Sequence, residues 1–385
     1  MTLRVGIVAA EPSGDLLGAG LMHALRAARP DIEFEGIGGP RMIAAGCASR
    51  FPMEKLSVMG LVEVLRHLRE LLAIRRSLLD DWRASPPDLY LGVDAPDFNL
   101  PLERALRRTG VPTVHYVSPT VWAWRPGRVK TLRAAADLVL SIFPFEGDFL
   151  ATHGVRARYV GHPLADEIEP VADPGPARVR LGLPADARVL AVLPGSRLSE
   201  IEAIGPAFIA AARLCAERDP GLRLVTPLVN LATRERFAAL RAELAPELDW
   251  LFVDSAAHDA LPAADVVLTA SGTATLEALL VGRPMVVGYR VHAITYWTAR
   301  LLRLVRVPYI AMANLLAGEG LAPEFVQGAC TADNLAGAVA AFLDAPQRRA
   351  EIRARYRQLA AALRRDTSRE AAAAVLSLLA AGAGG

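Results

Sequence analysis

Short apolar runs alternate with helical periods along the first half of the chain. LRVGIVAA (3–10) reads as a buried strand, and GDLLGAGLMHALRAARP after it carries apolar residues at helical spacing until Pro30. DLYLGVDA (88–95), TVHYVSP (113–119) and DLVLSIF (137–143) follow as strands separated by helical segments. This βαβ rhythm predicts an α/β, doubly wound parallel sheet, in which ligands bind outside the carboxyl ends of the strands. Residues 162–184 contain five prolines, interrupt the rhythm and predict a linker. The pattern restarts with RVLAVLPGSR (188–197) and continues through LRLVTPLV, WLFVDS, DVVLTASGTATLEALL and PMVVGYR, so two Rossmann-like halves stand in tandem. The helical tail from Asn334 is expected to pack across the halves or on a neighbouring copy, which leaves a homodimer open.

Length agrees with that division, because 385 residues exceed what one core usually serves. The composition, 52% hydrophobic and 22% charged, is globular. The formal net charge is only +2, so attraction to phosphates must come from local patches, and nucleic acid is not expected as a partner. Cys47, Cys215 and Cys330 lie far apart without a CxxC pair, which suggests neither a disulfide framework nor a zinc site and fits a reducing cytoplasm. The start lacks the charged n-region of a signal peptide, and no run of about 18 uncharged apolar residues predicts a spanning helix. Any membrane contact is therefore expected to be peripheral.

The strand exits carry the candidate chemistry. A dinucleotide fingerprint fails after the first strand, since GAGLMH puts His23 where the third glycine belongs. AEPSGD offers Glu11, Ser13, Gly14 and Asp15 instead, and either Ser13 or Asp15 caps the helix or the turn also meets a ligand. GVDAPDFNLP (92–101) gathers Asp94, Asp97 and Asn99 at the end of another strand. In the second half, LPGSR places Ser196 and Arg197 at the mouth of a helix, where backbone N–H groups and a guanidinium suit a diphosphate. ASGTATLE repeats the arrangement with Ser271, Gly272 and Thr273, and Glu277 lies where a carboxylate is able to accept the hydroxyls of a ribose. Ordinary helix caps would use the same residue types. No DxD pair that would chelate a metal through a diphosphate occurs, so no metal and no other cofactor is expected.

EPSGD, GVDAPDFNLP, HYVSPTVWAWRPGRV, GHPLAD, LPGSR, PLVN, ASGTATLE, VVGYR and NLLAG follow one another in the order seen in lipid-A-disaccharide synthases. The chain resembles that family over essentially its whole length. The resemblance implies a GT-B-like pair of domains facing a cleft and an inverting glycosyl transfer. UDP-2,3-diacylglucosamine and 2,3-diacylglucosamine 1-phosphate would give a β-1,6-linked disaccharide 1-phosphate and UDP, the nucleotide sugar being a substrate. It implies an N-terminal lipid-acceptor domain over 1–168, a UDP-sugar domain over 169–349, and helices from about 350 to 385 packing across. Asp97 then matches the essential carboxylate and suits a base that takes the acceptor hydroxyl proton. Asp94 and Asn99 would orient it or the sugar. Arg197 would stabilise the departing diphosphate, Asn314 of NLLAG would contact donor sugar or diphosphate, and Arg125, with Arg128, would meet the acceptor phosphate. Trp122, Trp124, His115 and His162 suit structural roles at least as well.

Acylated substrates draw attention to LSVMGLVEVLRHLRELLAIRRSLLDDW (56–82), whose Val58, Leu61, Leu65, Leu68, Leu72 and Leu79 keep helical spacing beside Arg66, Arg69, Arg75 and Arg76. A core helix with a solvated arginine edge would show the same pattern. YWTARLLRLVRV (296–307) repeats it with Trp297, Arg300, Arg303 and Arg306. Both are candidate docking surfaces for a protein that is peripheral on the cytoplasmic face of the inner membrane. Competing readings are another GT-B-like UDP-sugar enzyme, an epimerase or a peptidoglycan-type transferase, and a non-catalytic nucleotide-sugar-binding module.

Overall fold

A computed structural model of the chain describes residues 2–56, 61–119, 127–254, 259–290 and 308–382, with backbone alone for 61–66. The chain divides into two compact units, Met1–Asp166 with Leu363–Gly385, and Glu167–Ala362. In the first, β1 (Leu3–Ala9), β2 (Ile32–Ile37), β3 (Cys47–Ser49), β4 (Leu89–Val93), β5 (Thr113–Tyr116), β6 (Leu138–Ser141) and β7 (Ala157–Tyr159) form one sheet in the order β3-β2-β1-β4-β5-β6-β7. In the second, β8 (Val189–Leu193), β9 (Arg223–Leu228), β10 (Trp250–Asp254), β11 (Val266–Ala270), β12 (Met285–Tyr289) and β13 (Glu324–Val326) run in the order β10-β9-β8-β11-β12-β13.

All these pairings are parallel. β4, β8 and β11 are buried at every residue, which is why LYLGV, VLAVL and VVLTA read as unbroken apolar runs with no alternation. Strand order reverses between β1 and β4 in the first unit and between β8 and β11 in the second. The carboxyl ends at such a reversal splay apart into a crevice.

The strands named from sequence are present, and β2, β3, β7 and β13 are added to them. Three of the additions have only three residues, too short for any period to register. The proline-rich stretch is more ordered than a linker. Prolines near their starts open the short helices Pro163–Glu167 and Gly175–Arg180, and the buried Arg178 ties the latter to Ala263 O, Ala185 O and Asp265. The tail also divides. Helix Pro346–Leu363 belongs to the second unit up to Ala362, whereas Thr367–Gly382 packs on Pro12–Ala28 in the first. Asp166 caps that last helix, its carboxylate accepting from the N–H groups of Arg365, Asp366 and Thr367 at 3.1, 3.2 and 2.7 Å.

Helix Leu61–Ala84 turns one face into the core, as the core-helix reading has it, and leaves apolar residues on another. Ile74, Leu78 and Trp82, four residues apart, enter the core with Leu71 and Leu79 packed beside them. Leu68 and Leu72 stay 41% and 43% exposed. Residues 57–60, the side chains of 61–66 and the whole of 291–307, including the 296–307 segment, lie outside the described residues. No helix among the described residues is long and apolar enough to cross a membrane.

His162 has a structural place within the first unit. It lies against Phe143, and its Nδ1 accepts from Leu164 N–H at 3.2 Å, a bond only the neutral ring makes. Burial pushes its imidazole from 6.5 down to about 4, opposed by the field of Asp166. The folded state therefore binds fewer protons than the unfolded chain. Its stabilising contribution is complete above the unfolded value and is lost as pH falls from 6.5 toward about 4. We expect a loss of about 2–3 kcal/mol of unfolding free energy from this group across that window. Denaturant titrations at several pH values should show a shallower slope for His162→Gln, and an identical slope would remove His162 as the source.

Candidate active site

At the reversal point of the first unit, helix Pro12–Ala28 starts directly after β1, with Glu11 as its N-cap residue and Pro12 at its first position. Gly14 sits where an added Cβ would come within 3.3 Å of Ala9 and 3.6 Å of Val93 O, so the exits of β1 and β4 are neighbours. Ser13 is exposed there, whereas Asp15 is buried. The expectation that Asp15 caps its own helix is corrected. Its carboxylate accepts from Arg41 N and Met42 N, both at 2.9 Å, and so caps Pro40–Ala44.

The exit of β4 is strained. Asp94 and Ala95 have φ of 51° and 44°, left-handed values that cost a non-glycine residue about 1–2 kcal/mol each. Asn99 fastens this turn from beneath. Its Nδ2 donates to Asp94 O at 2.8 Å, its Oδ1 accepts from Tyr90 O–H at 2.8 Å, and no part of it reaches solvent. The amide is thus committed inside the fold: of the two roles expected for Asn99, orienting Asp97 or orienting the sugar, its bonds are those of a residue that holds the turn. Asp94 is mostly enclosed, and burial raises its carboxyl above the usual range, with His115 acting against this.

Asp97 has the opposite surroundings. It lies in the first turn of helix Pro96–Arg107, its side chain is 83% exposed, and Arg128 holds Oδ1 at 2.6 Å. The start of the helix and the guanidinium both lie beside this carboxylate. Arg128 heads helix Arg128–Ala135 and is brought to Asp97; Arg125, Trp122 and Trp124 lie outside the described residues.

In the second unit the predicted residues Ser196, Arg197, Ser271, Gly272, Thr273 and Glu277 line one cavity of about 350 Å³ at the β8/β11 reversal. Its two loops differ in a way the sequence analysis did not anticipate. In the first, Glu200 accepts from Ser196 N and Arg197 N at 2.9 and 3.2 Å, the glutamate half of a capping box, at the start of helix Leu198–Arg218. Gly195 at φ 109° makes room, since a Cβ there would lie 2.5 Å from Glu200 Oε2. Those N–H groups were expected to face a diphosphate, and this is corrected: a carboxylate within the chain already satisfies them. Arg197, 3.3 Å from Glu200 Oε1, is the cation at this rim.

The second loop presents the anion-binding end of a helix. Gly272 is the N-cap residue of Thr273–Val281, and the first N–H groups of a helix have no partner within it. Ser271 Oγ donates to Ile310 O at 3.1 Å, and Thr275 Oγ1 donates to Gly272 O and accepts from Met312 N–H. Glu277, one turn beyond Thr273, faces the same cavity.

Asn314 is buried, and its expected contact with the donor is replaced by internal bonds. Its Nδ2 donates to Ala322 O and Glu324 Oε1, and its Oδ1 accepts from Ala322 N, each at 2.8 Å. Glu324 also accepts from Ile310 N and Ala311 N, which secures the segment touching Ser271 and Thr275. Sequence reasoning missed Glu324 and Glu200. Nothing adjacent in the chain marks the former, but the latter stands three residues after Arg197, the spacing of a capping box.

The family model for lipid-A-disaccharide synthetase matches residues 5–378. The chain is 53% identical over 379 residues to a lipid-A-disaccharide synthase of Pseudomonas aeruginosa, covering 98% of both chains. A synthase of Aeromonas hydrophila is 47% identical over 377 residues, again covering 98% of each. Among solved structures, a putative UDP-N-acetylglucosamine 2-epimerase from Listeria monocytogenes superposes with a TM-score of 0.65 at 14% identity, covering 98% of this chain and 95% of that one. The UDP-GlcNAc 2-epimerase of Neisseria meningitidis gives 0.60 at 12%, covering 99% and 100%. These two likenesses establish the GT-B-like fold alone, whereas the matches in sequence run the length of the chain. With two doubly wound units and polar strand exits at both reversals, the chain belongs to the lipid-A-disaccharide synthase family and is a glycosyltransferase of lipid A biosynthesis.

Proposed function

We propose that the second unit binds the UDP of the donor sugar and the first binds the acceptor, with Asp97 as the base of an inverting transfer. The observation that carries this reading is the contrast between the two reversal points. One is a cavity rimmed by Arg197, Ser271 and the start of helix Thr273–Val281, suited to a diphosphate, with Glu277 able to accept ribose hydroxyls. The other presents an exposed carboxylate, held by Arg128, at the start of a helix.

In this mechanism Asp97 Oδ2, beside the Oδ1 that Arg128 engages, removes the proton from the acceptor 6-hydroxyl as that oxygen attacks the anomeric carbon. The bond to UDP breaks on the opposite face, which inverts the configuration. Arg197 and the helix start meet the charge that builds on the diphosphate. Glu11 and Ser13, at the neighbouring exit of β1, contact the acceptor, while Asn99 and Asn314 hold the two loops in shape. Purified protein with UDP-2,3-diacylglucosamine and 2,3-diacylglucosamine 1-phosphate in detergent micelles and EDTA is expected to yield disaccharide 1-phosphate and UDP in equal amounts. Restoration of lost turnover only by an added divalent ion would overturn the metal-independent mechanism.

The same reading places the protein peripherally on the inner membrane face. Leu68 and Leu72 project from helix Leu61–Ala84 beside Arg69 and Arg76, the combination that seats a helix in an anionic interface. Flotation with vesicles containing anionic lipid should recover the wild type. Leu68→Asp/Leu72→Asp should stay behind while keeping its UDP affinity; equal flotation of both would dismiss this face.

A further inference from the structure

Beneath the Asp94–Asp97 turn lies an ionisable pair that the transfer reaction does not use. Asn99 and Glu103 are four residues apart on helix Pro96–Arg107, hence on one face, and both are wholly buried. That face presses on β4 at Gly92, where an added Cβ would fall 2.1 Å from Glu103 Oε1 and 2.9 Å from Asn99 Cβ. Only a glycine admits this approach. Glu103 Oε1 meets Nδ1 of His115 at 2.7 Å, and His115, equally buried, is the register partner of Gly92 on β5.

The pair is an expensive way to fill a core position. Glu103 Oε2 and His115 Nε2 are buried without hydrogen-bond partners, and two apolar side chains would leave no such atoms. Burial raises the Glu103 carboxyl, and the imidazole opposes that shift as it does at Asp94, so His115 acts on a carboxyl to either side. The helix geometry gives the arrangement a use. Asp97 precedes Asn99 by two residues, about 200° around the axis, so the face that Asn99 and Glu103 lock inward determines that Asp97 points outward.

We propose that Glu103 and His115 are positioning residues for the base: their buried bond fixes the rotation of the helix that carries Asp97 and steadies the strained Asp94–Ala95 turn. The proposal rests on the reading of Asp97 as base. A displacement of about 1 Å at a reacting group lowers turnover on the order of 10²-fold, which sets the scale of the expected effect.

Two variants test it. Glu103→Gln fills the same space and keeps an acceptor for Nδ1 but removes the charge, and Glu103→Leu/His115→Leu removes the bond and both orphan atoms. We expect both to fold, with melting temperatures at or above that of the wild type for the double variant. The double variant should lose about 10–10²-fold in kcat per folded molecule at unchanged KM for either substrate. Glu103→Gln should recover part of that loss. A purely structural pair would lower the folded fraction and leave kcat per folded molecule alone. Wild-type kcat in the folded double variant, which lacks the bond, would overturn the proposal. Asp97→Asn measured alongside separates the two failures: an active Asp97→Asn sinks the base itself, whereas an inactive one beside fully active pair variants sinks only the positioning role.

Discussion

Asp97→Asn is expected to lower kcat by about 10²–10⁴-fold, the range a positioned base supplies, while UDP binds as tightly as before. Asparagine keeps the shape of the side chain and an oxygen for Arg128, so the ion pair at 2.6 Å becomes a hydrogen bond without displacing the helix start. What disappears is the capacity to accept a proton. UDP affinity should stand, because every predicted nucleotide contact belongs to the other unit. Single-turnover measurements with saturating donor, paired with UDP titration, distinguish the outcomes. Unchanged turnover would remove Asp97 from the chemistry, and turnover lost together with UDP binding would point to a folding defect.

Arg197→Ala should cost about 10²–10³-fold in kcat, as loss of one donor to a developing oxyanion does, and should also weaken UDP. Arg197 stands at a rim where the neighbouring N–H groups of Ser196 and Arg197 already serve Glu200. In the proposed mechanism the guanidinium is therefore expected to carry more of the work there than a loop with free N–H groups would ask of it. Arg197→Lys should recover only part of the loss, since an ammonium is a point charge without the planar fork that grips two oxygens. If Arg197→Ala kept full turnover and full UDP affinity, the diphosphate would have to sit wholly on the Gly272–Thr273 loop.

The parts legible in sequence were those whose cause is local. β4, β8 and β11 announced themselves as apolar runs, and the polar loops at their ends followed from the rule that parallel sheets bind at strand exits. The exposed first-turn position of Asp97 was readable because such a position depends on little outside its own helix. Asn99, Asn314 and Asp15 were recognised as special, but Asn314 was given a contact with the donor, Asn99 a place beside Asp97 or the sugar, and Asp15 the cap of its own helix or a ligand. Their partners, Tyr90 and Val8, Ala322 and Glu324, and the N–H groups of Arg41 and Met42, come from other elements. A lone polar residue in a sequence does not show whether it faces water or an inner carbonyl. The Glu103–His115 bond was hidden for the same reason, lying between a helix and a strand twelve residues apart.

The return of helix Thr367–Gly382 to the first unit has a consequence for biosynthesis. Its N–H groups wait on Asp166, and Ser368 Oγ lies where a Cβ on Gly20 would come within 2.5 Å of it, so helix Pro12–Ala28 is shaped to be covered. Every residue of the second unit is translated before that cover exists. On the ribosome, where domains ordinarily fold in the order they emerge, the half of this chain that is made first is the half completed last.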